Sequence, residues 1–369
     1  CWQQREQIQR NLGYIPGEMT FFDDMTGSEF IKFIAKYRGN AENGRAEELL
    51  DRFELDPNGK IKKMSKGMKQ KIGIVVAFMH DPEILILDEP TAVLTTQETT
   101  ELFKELKHLK EQGYTLIFIS HKLNEIMEIT DRLSILRGGK FMGVYETKDV
   151  TPEKISRLMV GRDVVLQVQK DVAKPTDEIL RVRDLHYVND WGKKMLNGVS
   201  LSVRKGEILG IAGVEGNGQK ELVDMLFGLN KPNEGTITMK GDNIIGLNQR
   251  QLREKHISLV PEDRMLFGIA ANASIEENII SDRADSKKMN KGLMFNMKNM
   301  HEETDALIKE YKVLCKSRDQ KVGMLSGGNI QKVVVAREFS NQPDLIIADQ
   351  PTRGIDVGAT EFIRKKLVE

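Results

Sequence analysis

The sequence has little that would suit a disulfide-stapled, nucleic-acid-binding or membrane-spanning protein. Its 369 residues include only two cysteines, Cys1 and Cys315, which cannot form a disulfide framework and favour an intracellular protein. Lysine plus arginine equals aspartate plus glutamate at 55 each, so no overall charge steers the chain towards nucleic acid or an anionic membrane. Apolar runs such as Ile84–Leu87 and Thr115–Ile119 are far shorter than the roughly 20 residues of a membrane helix. Any work at a membrane is therefore expected to go through a partner.

The chain does contain what folded domains need. With 40% hydrophobic and 30% charged residues, it can bury sizeable cores, which excludes a disordered or collagen-like protein. At about 100 to 200 residues per domain, the length predicts two or three domains. The chain begins with Cys1 rather than Met and has no secretory-type apolar stretch behind it, which predicts a fragment.

Two windows of the chain are related at one fixed offset. Met64–Thr91 and Leu325–Thr352 are identical at 10 of 28 positions without a gap, at an offset of 261. Each window predicts a Ser/Gly turn, a helix of about a dozen residues, a proline stop and a short apolar strand that ends in Asp. We therefore predict two related α/β units, residues 1–161 and 178–369, joined by a linker over residues 162–177.

A glycine-rich turn in the second unit, Gly213–Lys220, is typical of a phosphate site. It lies between a predicted strand, Glu207–Ala212, and a predicted helix, Glu221–Phe227. Such a turn exposes successive backbone N–H groups beside the positive end of a helix, where a polyphosphate binds. A turn with glycines for packing alone is the alternative.

The glycine-rich turn departs from the common pattern G-x-x-x-x-G-K-[ST]. Gly213 and Gly218 fit that pattern. Gln219 stands at the lysine position, and Lys220 stands at the hydroxyl position. The turn is therefore weak evidence by itself.

Each repeated window ends in a strand with acidic residues behind it. The strand Ile84–Leu87 runs into Asp88 and Glu89, and Asp349 and Gln350 follow the matching strand. An Asp at the end of a buried strand can hold Mg²⁺, and a following carboxylate can orient or deprotonate an attacking water. Glu89 can take that second role, whereas Gln350 cannot accept a proton. A capped turn is the alternative for either strand alone, but its repetition behind the same Ser/Gly turn favours phosphate chemistry.

His121 follows a further apolar strand and should lie at the same sheet edge as Glu89. An imidazole there can contact a γ-phosphate and its attacking water. A lone histidine is more often structural, so this expectation depends on its neighbours.

Together these residues resemble the ATP-binding cassette, or ABC, ATPases. The resemblance covers nearly the whole chain and rests on Ser65–Gln70, Asp88–Thr91, His121, Gly213–Lys220, Leu325–Gln331 and Asp349–Asp356. It implies an α/β fold with two P-loop NTPase domains in tandem, each with a mainly parallel sheet flanked by helices plus a helical subdomain. It also implies that two cassettes pair head to tail. ATP and Mg²⁺ then lie between the glycine-rich turn of one cassette, called the P-loop, and the Ser/Gly turn of the other, called the signature.

The resemblance implies roles for individual residues. Glu89 and His121 are the expected catalytic residues, and the expected residues at Mg²⁺ are Asp88, Asp349 and Glu262. The expected nucleotide-binding residues are Tyr187, Gly213, Gly216, Asn217, Gly218, Gln219, Lys220, Ser65, Gly67, Ser326, Gly327, Gly328 and Gln331. A core or surface tyrosine and a solvated loop acid are the alternatives for Tyr187 and Glu262.

From Thr91 onwards the resemblance narrows to the tandem-cassette ATPases of bacterial simple-sugar and nucleoside importers. The stretches PTAVLTTQE, GIAGVEGNGQ and QPTRGIDVGA carry it. In many of these proteins the second cassette has Gln in place of the P-loop Lys and lacks the Walker B glutamate, which follows the Asp at the end of the strand. Gln219 and Gln350 stand at these two positions here. Lys220 stands where Ser or Thr is usual, so the hydroxyl that would ligate Mg²⁺ is also absent. The second site is therefore expected to bind nucleotide weakly and hydrolyse it poorly or not at all.

The resemblance also implies partners and a location. The expected partners are two membrane-spanning permease subunits and an extracytoplasmic solute-binding protein, without nucleic acid and without direct insertion into the membrane. The expected location is the cytoplasmic face of the bacterial cell membrane. The methionine-rich stretch Met289–Met300 is expected to serve helix packing or a membrane-subunit contact rather than a metal site.

Before Thr91 the chain contains the stretches LGYIPGEMTFFDDMTGSEFIKFIAKYRG and MSKGMKQKIGIVVAFMHDPEILILDEPT. These resemble a different branch, the single-cassette ATPases of bacterial drug and bacitracin-type exporters. Gly17 stands where most cassettes have the Gln of the Q-loop, and Lys66 stands where the signature has its first Gly. Our hypothesis is that two genes are joined near this point. An exporter ATPase and a soluble tandem-cassette ATPase acting on ribosomes or DNA stay open as alternatives.

Spacing predicts that each unit is incomplete. In the second unit the glycine-rich turn begins 48 residues before Pro261, so its counterpart in the first unit would precede residue 1. His121 lies 33 residues beyond Asp88, so its counterpart in the second unit would follow Glu369.

Overall fold

The chain divides into two units, Cys1–Val164 and Val165–Glu369, and the division lies within residues 162–177. A computed structural model describes all residues except 1–3, 18, 39–43, 93, 165–167, 215 and 292–293; the side chains of residues 5–7 and 66 are also outside the description. Cys1 therefore lies outside the described residues. Within the described part of the chain, no helix is both long and apolar enough to cross a membrane.

The first unit contains a parallel sheet and an antiparallel ribbon. The parallel strands, in the order β1-β2-β3, are β1 (Leu12–Ile15), β2 (Ile84–Asp88) and β3 (Thr115–Ile119). The ribbon consists of β4 (Arg132–Arg137) and β5 (Lys140–Glu146). The helices are α1 (Arg5–Arg10), α2 (Gly27–Tyr37), α3 (Arg45–Arg52), α4 (Lys66–Phe78), α5 (Thr96–Glu111), α6 (Leu123–Ile129) and α7 (Pro152–Val160).

One face of the parallel sheet carries the core of the first unit. Ile15, Leu85 and Leu87 point to that face and pack with Ile72 of α4 and Leu106 of α5 in one buried cluster. Their alternation with exposed neighbours follows from the two-residue period of a strand. The core thus fixes the sheet against the two helices that follow the Ser/Gly turn and β2.

The second unit contains a larger antiparallel sheet beside a parallel pair. The antiparallel strands, in the order β7-β6-β8-β9, are β6 (Glu178–Val188), β7 (Lys194–Arg204), β8 (Glu234–Met239) and β9 (Asp242–Asn243). The parallel pair is β10 (Ile257–Val260) with β13 (Leu345–Ala348), and two short strands, β11 (Asn290–Lys291) and β12 (Met294–Phe295), pair antiparallel. The helices are α8 (Gln219–Leu226), α9 (Gln249–Glu254), α10 (Ile275–Ile280), α11 (Met297–Glu310), α12 (Gly327–Ser340) and α13 (Val357–Val368). The predicted α/β class is confirmed.

The two related windows fold in the same order. A 3₁₀ turn leads to the Ser/Gly turn in each unit, at Ile61–Lys63 and Val322–Met324. The helices α4 and α12 follow, and each is succeeded by a strand that pairs in parallel with an earlier one. The repeat read from the sequence is therefore a repeat of structure.

The predicted strand over Glu207–Ala212 is wrong. Residues 207–214 form no ladder with any described strand, and Ile208 and Ile211 are 60% and 52% exposed. The apolar pattern is that of a buried strand, but a strand also needs a neighbour that completes its backbone hydrogen bonds.

A buried ion-pair network distinguishes the second unit from the first. Glu338 of α12 is fully buried and accepts two hydrogen bonds from Arg253, at 2.8 and 2.9 Å. It also accepts from the Leu259 N–H at 3.3 Å and from Arg337 at 2.9 Å. Burial disfavours the charge on Arg253, but the bonds and charge of Glu338 more than offset it and raise the pKa of the guanidinium. At the matching place the first unit has the buried Ala77.

We expect Glu338→Ala to destabilise the second unit by about 3–5 kcal/mol, because it leaves buried arginine charge without its partner. Urea unfolding followed by circular dichroism measures this loss. The control is Glu302→Ala on α11, where the carboxylate is 66% exposed and lies 3.8 Å from Lys298. That variant should change the unfolding free energy by less than about 0.5 kcal/mol. Equal effects of the two substitutions would contradict the assignment.

Candidate functional site

The candidate site of the first unit lies at the carboxyl edge of the parallel sheet. Parallel pairing places Ile15 beside Leu87 and Asp88 beside Ile119, so all three strands end at one edge. Gly17, just past β1, faces the carboxylate of Asp88; a Cβ at Gly17 would lie 3.5 Å from Asp88 Oδ2. The expectation that His121 lies at the same sheet edge as Glu89 is confirmed, because β2 and β3 end together there.

Glu89 and His121 are in direct contact at this edge. Glu89 Oε1 accepts from the His121 backbone N–H at 3.0 Å and lies 2.7 Å from His121 Nδ1. Because an ionised carboxylate only accepts, Nδ1 carries the proton in this pair, and Nε2 is left as the ring's second nitrogen. Glu89 Oε2 is buried and has no hydrogen-bond partner among the described residues. One oxygen of the carboxylate is therefore held while the other has free lone pairs.

The turn that carries Glu89 has a strained backbone conformation, which a backbone hydrogen bond stabilises. Glu89 has φ +48°, in the left-handed region that non-glycine residues rarely adopt. Its N–H donates to Ile119 O at 2.9 Å. Strain of this kind persists only where the surroundings over-determine the backbone, and it clusters at functional sites.

Thr91, two residues further on, stabilises the turn through hydrogen bonds. It is fully buried, and its hydroxyl donates to Glu125 Oε2 at 2.6 Å. Lys122 donates to Thr91 O at 3.0 Å and pairs with Glu125 at 2.9 Å. Sequence reasoning did not identify Glu125, since a single glutamate in the first turn of a helix gives no distinctive signal.

The Ser/Gly turn of the first unit begins helix α4. Ser65 is its N-cap, and its hydroxyl accepts from the Met68 N–H at 3.1 Å. Gly67 lies against Glu98, since a Cβ there would be 3.2 Å from both carboxylate oxygens. The side chain of Lys66 lies outside the described residues.

The Ser/Gly turn of the second unit begins helix α12 in a different way. Ser326 makes no side-chain bond to the helix backbone, but its hydroxyl accepts from Asn329 Nδ2 at 2.9 Å. A Cβ at Gly327 would lie 2.9 Å from Arg264 Nη2, and one at Gly328 would lie 2.7 Å from Asp356 Oδ2. A side chain at either position would therefore displace the end of Arg264 or Asp356.

The glycine-rich turn is closed by its own glutamine. Gln219 Nε2 donates to Val214 O at 3.1 Å, and the Asn217 N–H approaches the same oxygen at 3.3 Å. Gly216 and Gly218 have φ of +86° and +99°, and Gly218 is the N-cap of α8. The amide of Gln219 thus bridges the turn from the position where the common pattern has lysine.

Lys220 turns away from the glycine-rich turn. Its ammonium lies 3.6 Å from Asp224 Oδ2, one helical turn later, and 5.7 Å from the centre of the Phe267 ring. Burial raises the pKa of the Asp224 carboxyl, and the charge of Lys220 opposes that rise. The resemblance implied that Lys220 binds nucleotide, but the sequence gave no sign of this competing carboxylate.

The other predicted residues of the second unit are also engaged. The Asp349 N–H donates to Val260 O at 2.9 Å. Gln350 repeats the left-handed turn of Glu89, with φ +43°. Glu262 pairs with Arg353. Tyr187 lies opposite Leu196 in the antiparallel sheet and is half-buried against its core.

No ready-made metal site is present in the described part of the chain. No group of three or more His, Cys, Asp or Glu side chains there could hold a metal ion. In the methionine-rich stretch, Met289 and Met300 are buried, whereas Met294 and Met297 are exposed at 75% and 49%. Half of these methionines therefore serve packing, as expected, and half face solvent.

Comparison with known proteins points to one family. The ABC transporter family model matches residues 2–92 and 196–353. The chain is 38% identical to the glucose import ATP-binding protein TsgD13 of Haloferax volcanii, over 88% of the chain and 60% of the relative. It is 38% identical to the nucleoside import ATP-binding protein NupA of Lactococcus lactis, over 87% and 64%.

Two further similarities extend this result. The guanosine import ATP-binding protein NupO of Bacillus subtilis is 40% identical over 93% of the chain and 68% of the relative. The chain thus spans about three fifths to two thirds of the length of these relatives. A structure described as ribosome-bound archaeal Pelota and ABCE1 matches 99% of the chain and 58% of its own, with a TM-score of 0.70 and 19% identity, which supports the fold alone.

The two left-handed glycines of the glycine-rich turn should differ in their tolerance of a side chain. Gly216→Ala adds a methyl group to open space and should cost about 1–2 kcal/mol from the backbone conformation alone. Gly218→Ala should cost about 2 kcal/mol more, because its Cβ would lie 2.5 Å from Met195 O. Urea unfolding of the second unit compares them, and equal losses would show that the turn does not pack as described.

Proposed function

The chain belongs to the ABC transporter family, and on that premise we propose that it is the ATP-binding and ATP-hydrolysing subunit of an importer for a simple sugar or a nucleoside. Residues 1–161 and 178–369 are assigned to its two cassettes. The names of the relatives, which are import ATP-binding proteins for glucose, nucleosides and guanosine, favour import over the exporter and ribosome alternatives.

The contact between Glu89 and His121 is the observation that carries the proposal. A general base must hold a free lone pair within reach of the proton it removes and must be oriented by a neighbour. Glu89 Oε2 is unpaired among the described residues, and Oε1 is held by two bonds from His121. In the proposed reaction, Glu89 takes the proton of the water that attacks the γ-phosphate, and His121 keeps the carboxylate aimed.

Asp88 is the proposed ligand of Mg²⁺ in the first unit. Magnesium in nucleotide sites usually keeps several waters and takes one or two carboxylates together with phosphate oxygens, so a single Asp is a suitable donor. Gly17, which has no side chain, faces Asp88 Oδ2. The metal's contribution would be to neutralise phosphate charge. In the second unit Asp349 is the matching candidate, whereas Glu262 would have to leave Arg353 before it could contribute.

We assign the second unit a nucleotide-binding role with little or no hydrolysis. Gln350 occupies the place of Glu89 but has no basic carboxylate. Gln219 and Lys220 are both committed to partners within the turn and helix α8. The N–H groups of the glycine-rich turn are the remaining phosphate donors, and the proposed additional contacts are the Ser/Gly turns and Tyr187.

The proposed partners are two permease subunits that span the membrane and an extracytoplasmic solute-binding protein. The chain would then act at the cytoplasmic face of the cell membrane, bound through these subunits. ATP and Mg²⁺ are its proposed ligands.

Replacing the proposed base tests the reaction. In the transporter complex formed with a version of the chain that carries the upstream glycine-rich turn of the first unit, Glu89→Gln should lower ATP turnover by about 10²–10⁴-fold, because the amide cannot accept the proton, while ATP binding is retained. Steady-state ATPase assays and equilibrium nucleotide binding measure the two effects. The matched control is Gln350→Ala, which should change turnover by less than about threefold. Harmless Glu89→Gln together with a damaging Gln350→Ala would reverse the assignment.

Purification from the native host tests the class of function. The tagged chain should copurify with two multi-pass membrane proteins after mild detergent extraction. Cosedimentation with ribosomes in place of those proteins would contradict the transporter proposal.

A further inference from the structure

The same buried hydrogen bond occurs at matching places in the two units. Gln70 of α4 donates from Nε2 to Pro90 O at 2.9 Å. Gln331 of α12 donates from Nε2 to Pro351 O at 2.8 Å. Gln70 is 6% exposed and Gln331 is 2% exposed. Each bond therefore joins the helix that begins at the Ser/Gly turn to the turn that follows the acidic strand.

The acceptor of each bond belongs to a strained turn. Pro90 follows Glu89, at φ +48°, and Pro351 follows Gln350, at φ +43°. A buried hydrogen bond to the next residue is the kind of constraint that keeps such a turn in its rare conformation. In the second unit Gln331 Oε1 is buried without a partner among the described residues. The bond from Nε2 to Pro351 O is therefore the hydrogen bond that holds this side chain.

Each glutamine is also placed to report the state of its Ser/Gly turn. Gln70 lies five residues after Ser65, which caps the first turn of α4. A shift or rotation of the start of α4 moves the Gln70 amide, because a helix transmits displacement as a rigid element. The amide's other end is fixed to Pro90, next to the proposed base.

We propose that Gln70 is a positioning residue that couples the Ser/Gly turn of α4 to the carboxylate of Glu89. Gln331 makes the equivalent link from α12 to the turn at Gln350. The link between α4 and the turn at Glu89 is a property of the fold. Its importance for catalysis rests on the proposed function, in which the direction of the Glu89 carboxylate affects the rate of ATP hydrolysis. Since a phosphate that binds the Ser/Gly turn acts on one end of the link, its effect reaches the base at the other end.

Amide hydrogen exchange on the full chain tests the link without nucleotide, so its result does not depend on the ATPase proposal. In Gln70→Met the donor is lost at similar side-chain volume. The amides of Glu89, Ala92 and His121, which bond within or across this turn, should exchange about tenfold faster. The amides of Asp349 and Arg353 in the second unit should be unchanged.

Gln331→Met is the matched control, and it should speed exchange at Asp349 and Arg353 while it leaves the three first-unit amides unchanged. Unchanged exchange at the turn in either variant would overturn the proposal. If Gln70→Met does not fold, Gln70→Asn, which shortens the reach by one methylene, is measured in the same way.

A second comparison separates coupling from simple support. Ser65→Ala loosens the start of α4, so it should speed exchange at Glu89 and His121 about threefold or more in the chain with Gln70. In the Gln70→Met background the same substitution should add less than about 1.5-fold, because the link is already cut. Equal effects of Ser65→Ala in both backgrounds would mean that Gln70 only supports the turn, and the proposal would fail.

Discussion

Parallel pairing of β2 between β1 and β3 is the constraint on which the candidate site depends. Because the three strands run in one direction, the segments that follow them leave the sheet at one edge, and residues such as Gly17 and Asp88, 71 positions apart in sequence, become neighbours. The edge alone would bring Gly17, Asp88 and His121 only into the same region. The left-handed turn at Glu89 then directs the carboxylate towards His121 rather than along the strand. Chemistry at this edge therefore depends on a backbone conformation that the fold must hold in place.

The two units share this plan but stabilise it differently. The second unit ties α12 to α9 and β10 with the buried Glu338 network, whereas the first unit has Ala77 and apolar packing at the matching place. Both keep the Ser/Gly turn, the glutamine bond and the strained turn. The shared features are those that surround the proposed phosphate chemistry, and the divergent ones belong to the scaffold. This division is expected if the site constrains the sequence more tightly than the core does.

The sequence predicted much of this organisation because its signals are local. Helices α4 and α12, strands β2 and β13 and the sheet edge with Asp88, Glu89 and His121 follow from periodicity, proline stops and repetition. The strand expected over Glu207–Ala212 was wrong because a ladder needs a partner strand, which no local pattern supplies. The bond between Gln70 and Pro90 was missed for a related reason: the identity of Gln70 and Gln331 in the repeat does not show which backbone oxygen accepts from them. The partners of Lys220 depend on burial of Asp224, which is a property of packing.

The contact between Lys220 and Asp224 has a consequence for proton balance. Asp224 is half-buried, and the ammonium of Lys220 is the main charge that opposes the rise in its pKa. An anion that drew Lys220 away would remove that opposition, so the pKa of Asp224 would rise further and the carboxyl would take up a proton at a higher pH. Anion binding at the glycine-rich turn through Lys220 would then consume protons. By linkage, its affinity would increase as the pH falls.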